Sequence, residues 1–240
     1  MASVAFTRTD VADVAWGLGF VVLAWWGALL VPAVPSARGI LAAVLVSVWG
    51  VRLAVHIARR GFRAGGREDA RYAAMREGAS GSWALRSLPV VFWLQGALMG
   101  LVAAPLTVMA AAPSVPLDVA DLVAVAVFVG GFLLEATADV QLGRWLADPS
   151  HKGRPLVTGV WAWSRHPNHA GDAIAWWGLG LLALPVAGGA LALLGPLAMT
   201  LLLRYVSGVP LLEKRHIGEE EWDAYRARTS IFWPAPPRAR

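Results

Sequence analysis

Between residues 163 and 172 the chain reads WSRHPNHAGD. Arg165, His166, Asn168, His169 and Asp172 fall within eight residues, and three kinds of chemistry suit such a set. His166, His169 and Asp172 offer imidazole and carboxylate ligands that zinc or iron accept. Their spacing matches no familiar helical ligand motif, and Pro167 disturbs the geometry, so no metal is assigned. A purely structural use would cap a helix with Asn168 and leave Arg165 and His166 among lipid headgroups. A site for an anion or a cofactor would combine the free N–H groups of a helix start with Arg165, Arg154 and Lys152, all able to meet phosphates. Pro167 biases His166 away from the α region, so the stretch is expected to bend into a helix with Asn168 as its N-cap. On that helix His169 and Asp172 share a face, and Gly171 leaves room beside them for another chain or a ligand.

Further polar groups flank this element. EATADVQLGRWL carries Glu135, Asp139 and Arg144, and the two acids, four apart, share a helix face. A carboxylate pair buried in a membrane is costly without a purpose or a partner. RYVSGVPLLEKR supplies Arg204, Tyr205, Glu213 and Arg215, and EEEWDAYRARTSIFWP supplies Tyr225, Arg226 and Arg228. Glu219, Glu220 and Glu221 read as a solvated run that starts a helix. Placed on one side of a bilayer, these stretches could converge over the mouth of a helix bundle, which favours the cofactor reading.

The elements that must position them are membrane helices. Hydrophobic residues make up 57% of the 240 and charged residues 15%, where a soluble domain carries about 25%. Mean hydropathy is +0.55. The apolar runs approach 20 residues and lack strand-like alternation, which favours helices over a barrel. Six spans are expected, at about 14–31, 39–58, 88–109, 117–134 with an amphipathic extension, 173–186 and 190–206. The first, beginning after Asp13 without a basic flank and cleavage site, reads as a retained helix. Arginines crowd the 59–86 loop (Arg59, Arg60, Arg63, Arg67, Arg71, Arg76, Arg86), the 137–171 segment and the tail. The opposite loops hold only Arg38. Both termini are therefore placed on the cytoplasmic side. The net charge of +5 follows from these orientation signals and does not imply nucleic acid. The absence of cysteine excludes disulfides, thiolate nucleophiles and sulfur-ligated metals. PAPPRAR reads as a frayed end.

GVWAWSRHPNHAGD, with ADVQLGRWLADPSHKGR before it and LLLRYVSGVPLLEKR and WDAYRARTSIFWP after it, resembles a family of uncharacterised bacterial membrane proteins related to the C-terminal domain of steroid 5-alpha-reductases. The resemblance covers nearly the whole chain. Its most specific elements are the Arg165-His166-Pro167-Asn168 run with Gly171 and an acid, and the later Tyr225, Thr229 and Pro234. The same element occurs in a wider superfamily. That group includes sterol reductases using NADPH and isoprenylcysteine carboxyl methyltransferases using S-adenosylmethionine.

The resemblance implies a single membrane domain over 1–240, with a three-span substrate half over 1–110 and a cofactor-binding core over 117–240. It matches Asn168 and Asp172 to a polar pair near the nicotinamide. Asp139, Arg144, Arg154, Arg165 and His166 match the sugar–phosphate path, and Tyr225, Arg226 and Arg228 match a tail closing over the cofactor. The chain departs from the family at His169, where Tyr or Phe is usual, at Asp172, where close relatives carry Glu, and at Leu146, where a base is common.

The implied reaction is NADPH-dependent reduction of a polarised carbon–carbon double bond in a lipophilic substrate entering from the bilayer. It needs a hydrogen-bond donor for the developing charge and a proton for the second carbon. The Tyr and Glu that serve steroid reductases are missing from the first three spans, where Arg52, His56 and Gln95 are the polar side chains. Tyr72 and the loop acids lie outside those spans. Arg52, His56 and Tyr205 are the catalytic candidates, against snorkelling or an aromatic belt for each. The competing readings are an S-adenosylmethionine-dependent methyltransferase and a non-enzymatic scaffold or transporter. Abundant arginine and the acid at Asp172 favour the dinucleotide. A transporter would show repeated halves or broken mid-membrane helices. No protein partner is expected.

Overall fold

The computed structural model describes residues 11–31, 34–63, 93–214 and 217–238. Arg67, Arg71, Arg76, Arg86, Tyr72, Arg215 and the start of the third expected span lie outside the described residues. All regular structure among the described residues is helical. The chain divides into two compact units, Met1–Leu117 with Pro185–Leu191, and Asp118–Leu184 with Ala192–Arg240.

In the first unit, α1 (Val11–Leu29) lies against α2 (Ala37–Arg63). The two backbones meet at glycines: a Cβ on Gly17 would sit 2.5 Å from the Gly50 carbonyl oxygen, and one on Gly50 equally close to that of Gly17. Only residues without a side chain allow this approach. Trp25 Nε1 donates to Ser47 Oγ at 2.9 Å, so its one polar atom is satisfied across the same pair. Helix α2 continues through Arg59 and Arg60, which therefore belong to its last turns and not to a loop. Arg38, the exception among the sparsely charged loops, is 1% exposed and donates to the carbonyls of Val115 and Pro116 at 3.2 and 3.3 Å. It is a buried clamp on the 115–116 segment.

The third expected span is broken. Helices α3 (Leu94–Val102) and α4 (Ala104–Ala111) bend by 58° at Ala103. Pro105 explains the break, since it lacks the N–H that would reach back four residues and its ring crowds that carbonyl.

The second unit is built on α5 (Val119–Ala147). Asp118 caps it by accepting from Ala120 N at 2.7 Å, while Asp121 Oδ2 accepts from Asp118 N at 2.7 Å. Its 29 residues extend roughly 44 Å, beyond the ~30 Å hydrocarbon core, so its last turns form the extension expected from the sequence. Helix α6 (Pro167–Ala183) packs on α5 through Gly131, Gly171 and Gly178. A Cβ on Gly131 would come 2.3 Å from Ala175 N, one on Gly171 2.5 Å from Glu135 N, and one on Gly178 2.5 Å from Phe128 N.

Beyond a turn, α7 (Gly189–Ala192), α8 (Leu194–Leu201), a π-helical turn (Leu202–Val206) and α9 (Val209–Glu213) follow one another. Trp177 Nε1 donates to Thr200 Oγ1 at 3.1 Å, tying α6 to α8. Helix α10 (Glu220–Arg228) closes the regular structure.

Three stretches are long and apolar enough to cross a membrane, Ala37–Arg60, Val119–Ala147 and Gly189–Glu213, and a fourth counts if the bent α3–α4 pair is one span. Large apolar side chains stay exposed on them: Leu122 is 69% exposed and Leu133 55%. Water would penalise such surfaces and lipid does not. The described residues are therefore those of a helical membrane protein. The two further expected spans are shorter helices, Ala15–Leu29 within α1 and the 17-residue α6.

Candidate functional site

Helix α6 begins with Pro167 at its first position, where a missing N–H costs nothing and the fixed φ suits the helix. The N-cap is His166, at φ −137° and ψ 58°, and it makes no side-chain cap bond. Asn168 is thus not the cap. Its Nδ2 instead donates to Asp139 Oδ1 on α5 at 3.3 Å, which joins the RHPN element to the buried acidic face. Asp139 is 6% exposed and Glu135 3%, and Asp172 lies half-buried one turn beyond Asn168. The glycine contacts between α5 and α6 bring these groups together, because Gly171 rests on the Glu135 backbone.

The approach to α6 is bound to the chain's end. Arg165 N donates to the Ser230 carbonyl at 2.8 Å, Ser164 Oγ to the Phe232 carbonyl at 2.6 Å, and Ala235 N to the Trp163 carbonyl at 2.9 Å. Tyr225, 2% exposed on α10, donates its hydroxyl to the Trp161 carbonyl at 2.5 Å and lies 3.3 Å from that of Ser164. Burial pushes the Tyr225 phenol well above its ordinary ionisation range. The tail, expected to fray, is strapped across residues 163–166, and Arg238 N also bonds to the Arg228 carbonyl at 2.9 Å. The apolar anchor is Phe232, packed with Ala170, Ala173 and Val209.

One carboxylate gathers the basic side chains. Glu213, the last residue of α9, places Oε1 2.8 Å from His166 Nε2 and Oε2 3.2 Å from Arg226 Nε and 3.5 Å from an Arg165 terminal nitrogen. Arg226 also donates to the Glu213 carbonyl at 2.8 Å and to Asp223 at 2.7 Å. The Arg165 side chain is 10% exposed, and burial lowers its pKa while Glu213 opposes the shift. Two buried atoms here find no hydrogen-bond partner among the described residues: the Arg165 Nε donor and the Asn168 Oδ1 acceptor. Native interiors rarely tolerate such orphans.

A family model for a protein of unknown function, DUF1295, matches residues 1–229. The chain belongs to the DUF1295 family. No curated protein and no solved structure matches it.

The remaining candidates are placed differently in this DUF1295 member. Arg144 is exposed on the last turn of α5, and Arg154 is exposed and paired with Glu221 at 3.1 Å. Arg228 is half-buried at the end of α10. His169 stacks against His166 with ring centroids 5.9 Å apart. His166 turns Nε2 to Glu213, and no group of three or more metal-ligating side chains gathers among the described residues. Tyr205 sits in the π-helical turn, 64% exposed, with the Arg204 guanidinium 4.7 Å over its ring, the arrangement of an interfacial anchor. Arg52 and His56 lie one turn apart on α2, both half-buried, and Gln95 is half-buried on α3.

Sequence reasoning treated Glu213 as one polar residue of a list and passed over Ser164 and Asp223. Charge balance held the missing signal, since Arg165, His166 and Arg226 drawn into one half-buried junction require a counter-ion.

Proposed function

We propose that the chain is a membrane-embedded reductase that uses NADPH to saturate a polarised carbon–carbon double bond in a lipophilic, steroid-like or isoprenoid substrate taken from the bilayer. It would cross the bacterial inner membrane six times with both termini cytoplasmic, as the arginine distribution and the resemblance to steroid 5-alpha-reductase relatives suggest. The supporting observation is the gathering of three separate stretches within one unit. Asn168 touches Asp139, Arg165 touches Ser230, and Tyr225 reaches Trp161 and Ser164.

The orphaned atoms fit the cofactor's two ends. Asn168 Oδ1 can accept from a carboxamide N–H, and Arg165 Nε can donate to a phosphate oxygen. Bound there, NADPH would supply the hydride. Arg165, His166 and Arg226 would hold phosphate, Asn168 and Asp172 the nicotinamide end, and Tyr225 and Ser164 would keep the strap closed. Arg52 and His56 stay the electrophilic candidates on the substrate half. Tyr205, exposed beneath Arg204, is the weaker one.

Tryptophan emission of the purified protein should fall on adding NADPH and fall less with NADH, because arginines would read the 2′-phosphate. A stronger response to S-adenosylmethionine would make the methyltransferase reading the better one. Silence towards both would remove the cofactor site.

A further inference from the structure

Glu213 draws donors from two stretches that are distant in sequence: His166 at 2.8 Å and Arg165 at 3.5 Å from one, and Arg226 at 3.2 Å from the other. The junction already balances in charge, since Arg165 and Arg226 face Glu213 and Asp223. Yet its donors are not used up. Arg165, nine-tenths buried, keeps Nε without an acceptor among the described residues, and its contact with Glu213 is the longest of the three. A guanidinium offers a planar fork best filled by two oxygens, and here one oxygen serves it from one corner.

We propose that Glu213 is an internal anion seated where a ligand's phosphomonoester binds, and that this carboxylate yields Arg165 and His166 to the ligand as it enters. This rests on the cofactor reading for the ligand's source. A phosphomonoester carries a charge of about −1.5 to −2 and three acceptor oxygens, against one charge and two oxygens for a carboxylate. Its oxygens can fill the three donor directions, and its larger charge lets it compete with a carboxylate already in place. Occupancy is then set by competition: weak anions leave Glu213 bound, and a dianion exchanges it. A free nucleotide and an anionic lipid headgroup share this chemistry.

Removing the competitor should tighten binding, which no purely structural role for Glu213 would do. In phosphatidylcholine nanodiscs, Glu213→Gln should bind adenosine 2′,5′-bisphosphate about tenfold more tightly than the parent, with unphosphorylated adenosine unaffected. The gain should vanish in Glu213→Gln/Arg165→Gln. If the bisphosphate binds Glu213→Gln equally or less well, Glu213 is a fixed brace and the exchange is wrong. A gain seen in phosphatidylcholine discs and lost in discs containing phosphatidic acid keeps the seat and assigns it to a lipid headgroup.

A second measurement on the parent protein covers the case where the variant does not fold. Carbodiimide coupling of glycine ethyl ester to Glu213 should rise several-fold with saturating bisphosphate, as the carboxylate is released, and unchanged or reduced coupling overturns the exchange. Parent protein that binds NADPH without either effect retains the cofactor site and loses the seat. A phosphate gain in Glu213→Gln without NADPH binding by the parent does the reverse.

Discussion

Tyr225 shows how much one side chain carries. Its hydroxyl donates to the Trp161 carbonyl from a buried position, and burial raises its ionisation above the ordinary value of 10.0. A folded-state pKa above the unfolded one means the contribution is fully present below about pH 10 and is lost as pH rises towards the folded value. Thermal stability in detergent should therefore decline above about pH 10. Tyr225→Phe should flatten that decline while costing about 1–2 kcal/mol at neutral pH, because buried carbonyls lose their donor. An equal alkaline decline in both proteins would show that another group governs it. Asp172 makes a different case, as it is half-buried one turn beyond Asn168, which itself bonds to Asp139. Asp172→Ala should weaken NADPH binding about tenfold with the melting temperature preserved; a collapsed melt would mark it as a structural cap instead. The sequence alone singled out Asn168, Asp139, Arg165 and Tyr225 by residue type and motif. It misread Asn168 as a cap because capping statistics describe local bonds, while the bond Asn168 makes spans 29 residues. Glu213 was listed without a role for the same reason, its partners being 47 and 13 residues away.

At the scale of elements, the polar junction depends on how closely α5 and α6 approach. A methyl group at Gly131, Gly171 or Gly178 would fall within 2.5 Å of the opposite backbone, and backbone cannot step aside as a flexible side chain can. Each glycine-to-alanine change should cost about 1–3 kcal/mol or more and also loosen cofactor binding, since it separates Asp139 from Asn168. Gly130 is the internal control: its Cβ would meet nothing within 4 Å, so Gly130→Ala should be neutral or slightly stabilising. Melting of the four variants in one detergent decides the matter, and equal losses at all four positions would reduce the glycines to a propensity effect. Helix positions were legible from hydropathy, including the start of α5 at Asp118 and its run past the apolar core. The 58° bend was not, because hydropathy averaged over a window is blind to one proline. Nor was the strapped tail. Its composition is that of a loose end, and its order comes from Phe232 packing on Ala170, Ala173 and Val209 and from hydrogen bonds with Trp163, Ser164 and Arg165, 65 to 72 residues back in the chain.

For the whole molecule, composition was the most informative signal, because burying so much apolar surface in 240 residues with 15% charge leaves lipid as the medium for the remainder. Orientation has a different physical origin. It comes from arginines in the connections, several of which lie outside the described residues, and apolar length alone counts three or four crossings. The absence of cysteine makes the topology directly measurable, since every introduced thiol reports only on itself. If the chain crosses six times with both ends inside, Ser150 and Glu220 should face the cytoplasm and Ser114 and Ala187 the other side; all four are exposed. In intact spheroplasts a membrane-impermeant maleimide should label Ser114→Cys and Ala187→Cys, and should reach Ser150→Cys and Glu220→Cys only after lysis. Labelling of Ser150→Cys from outside while Glu220→Cys stays protected would split the strapped segments between two faces. Because Arg154, near Ser150, pairs with Glu221 at 3.1 Å, that result would contradict the polar junction itself and with it any shared grip on a phosphorylated ligand.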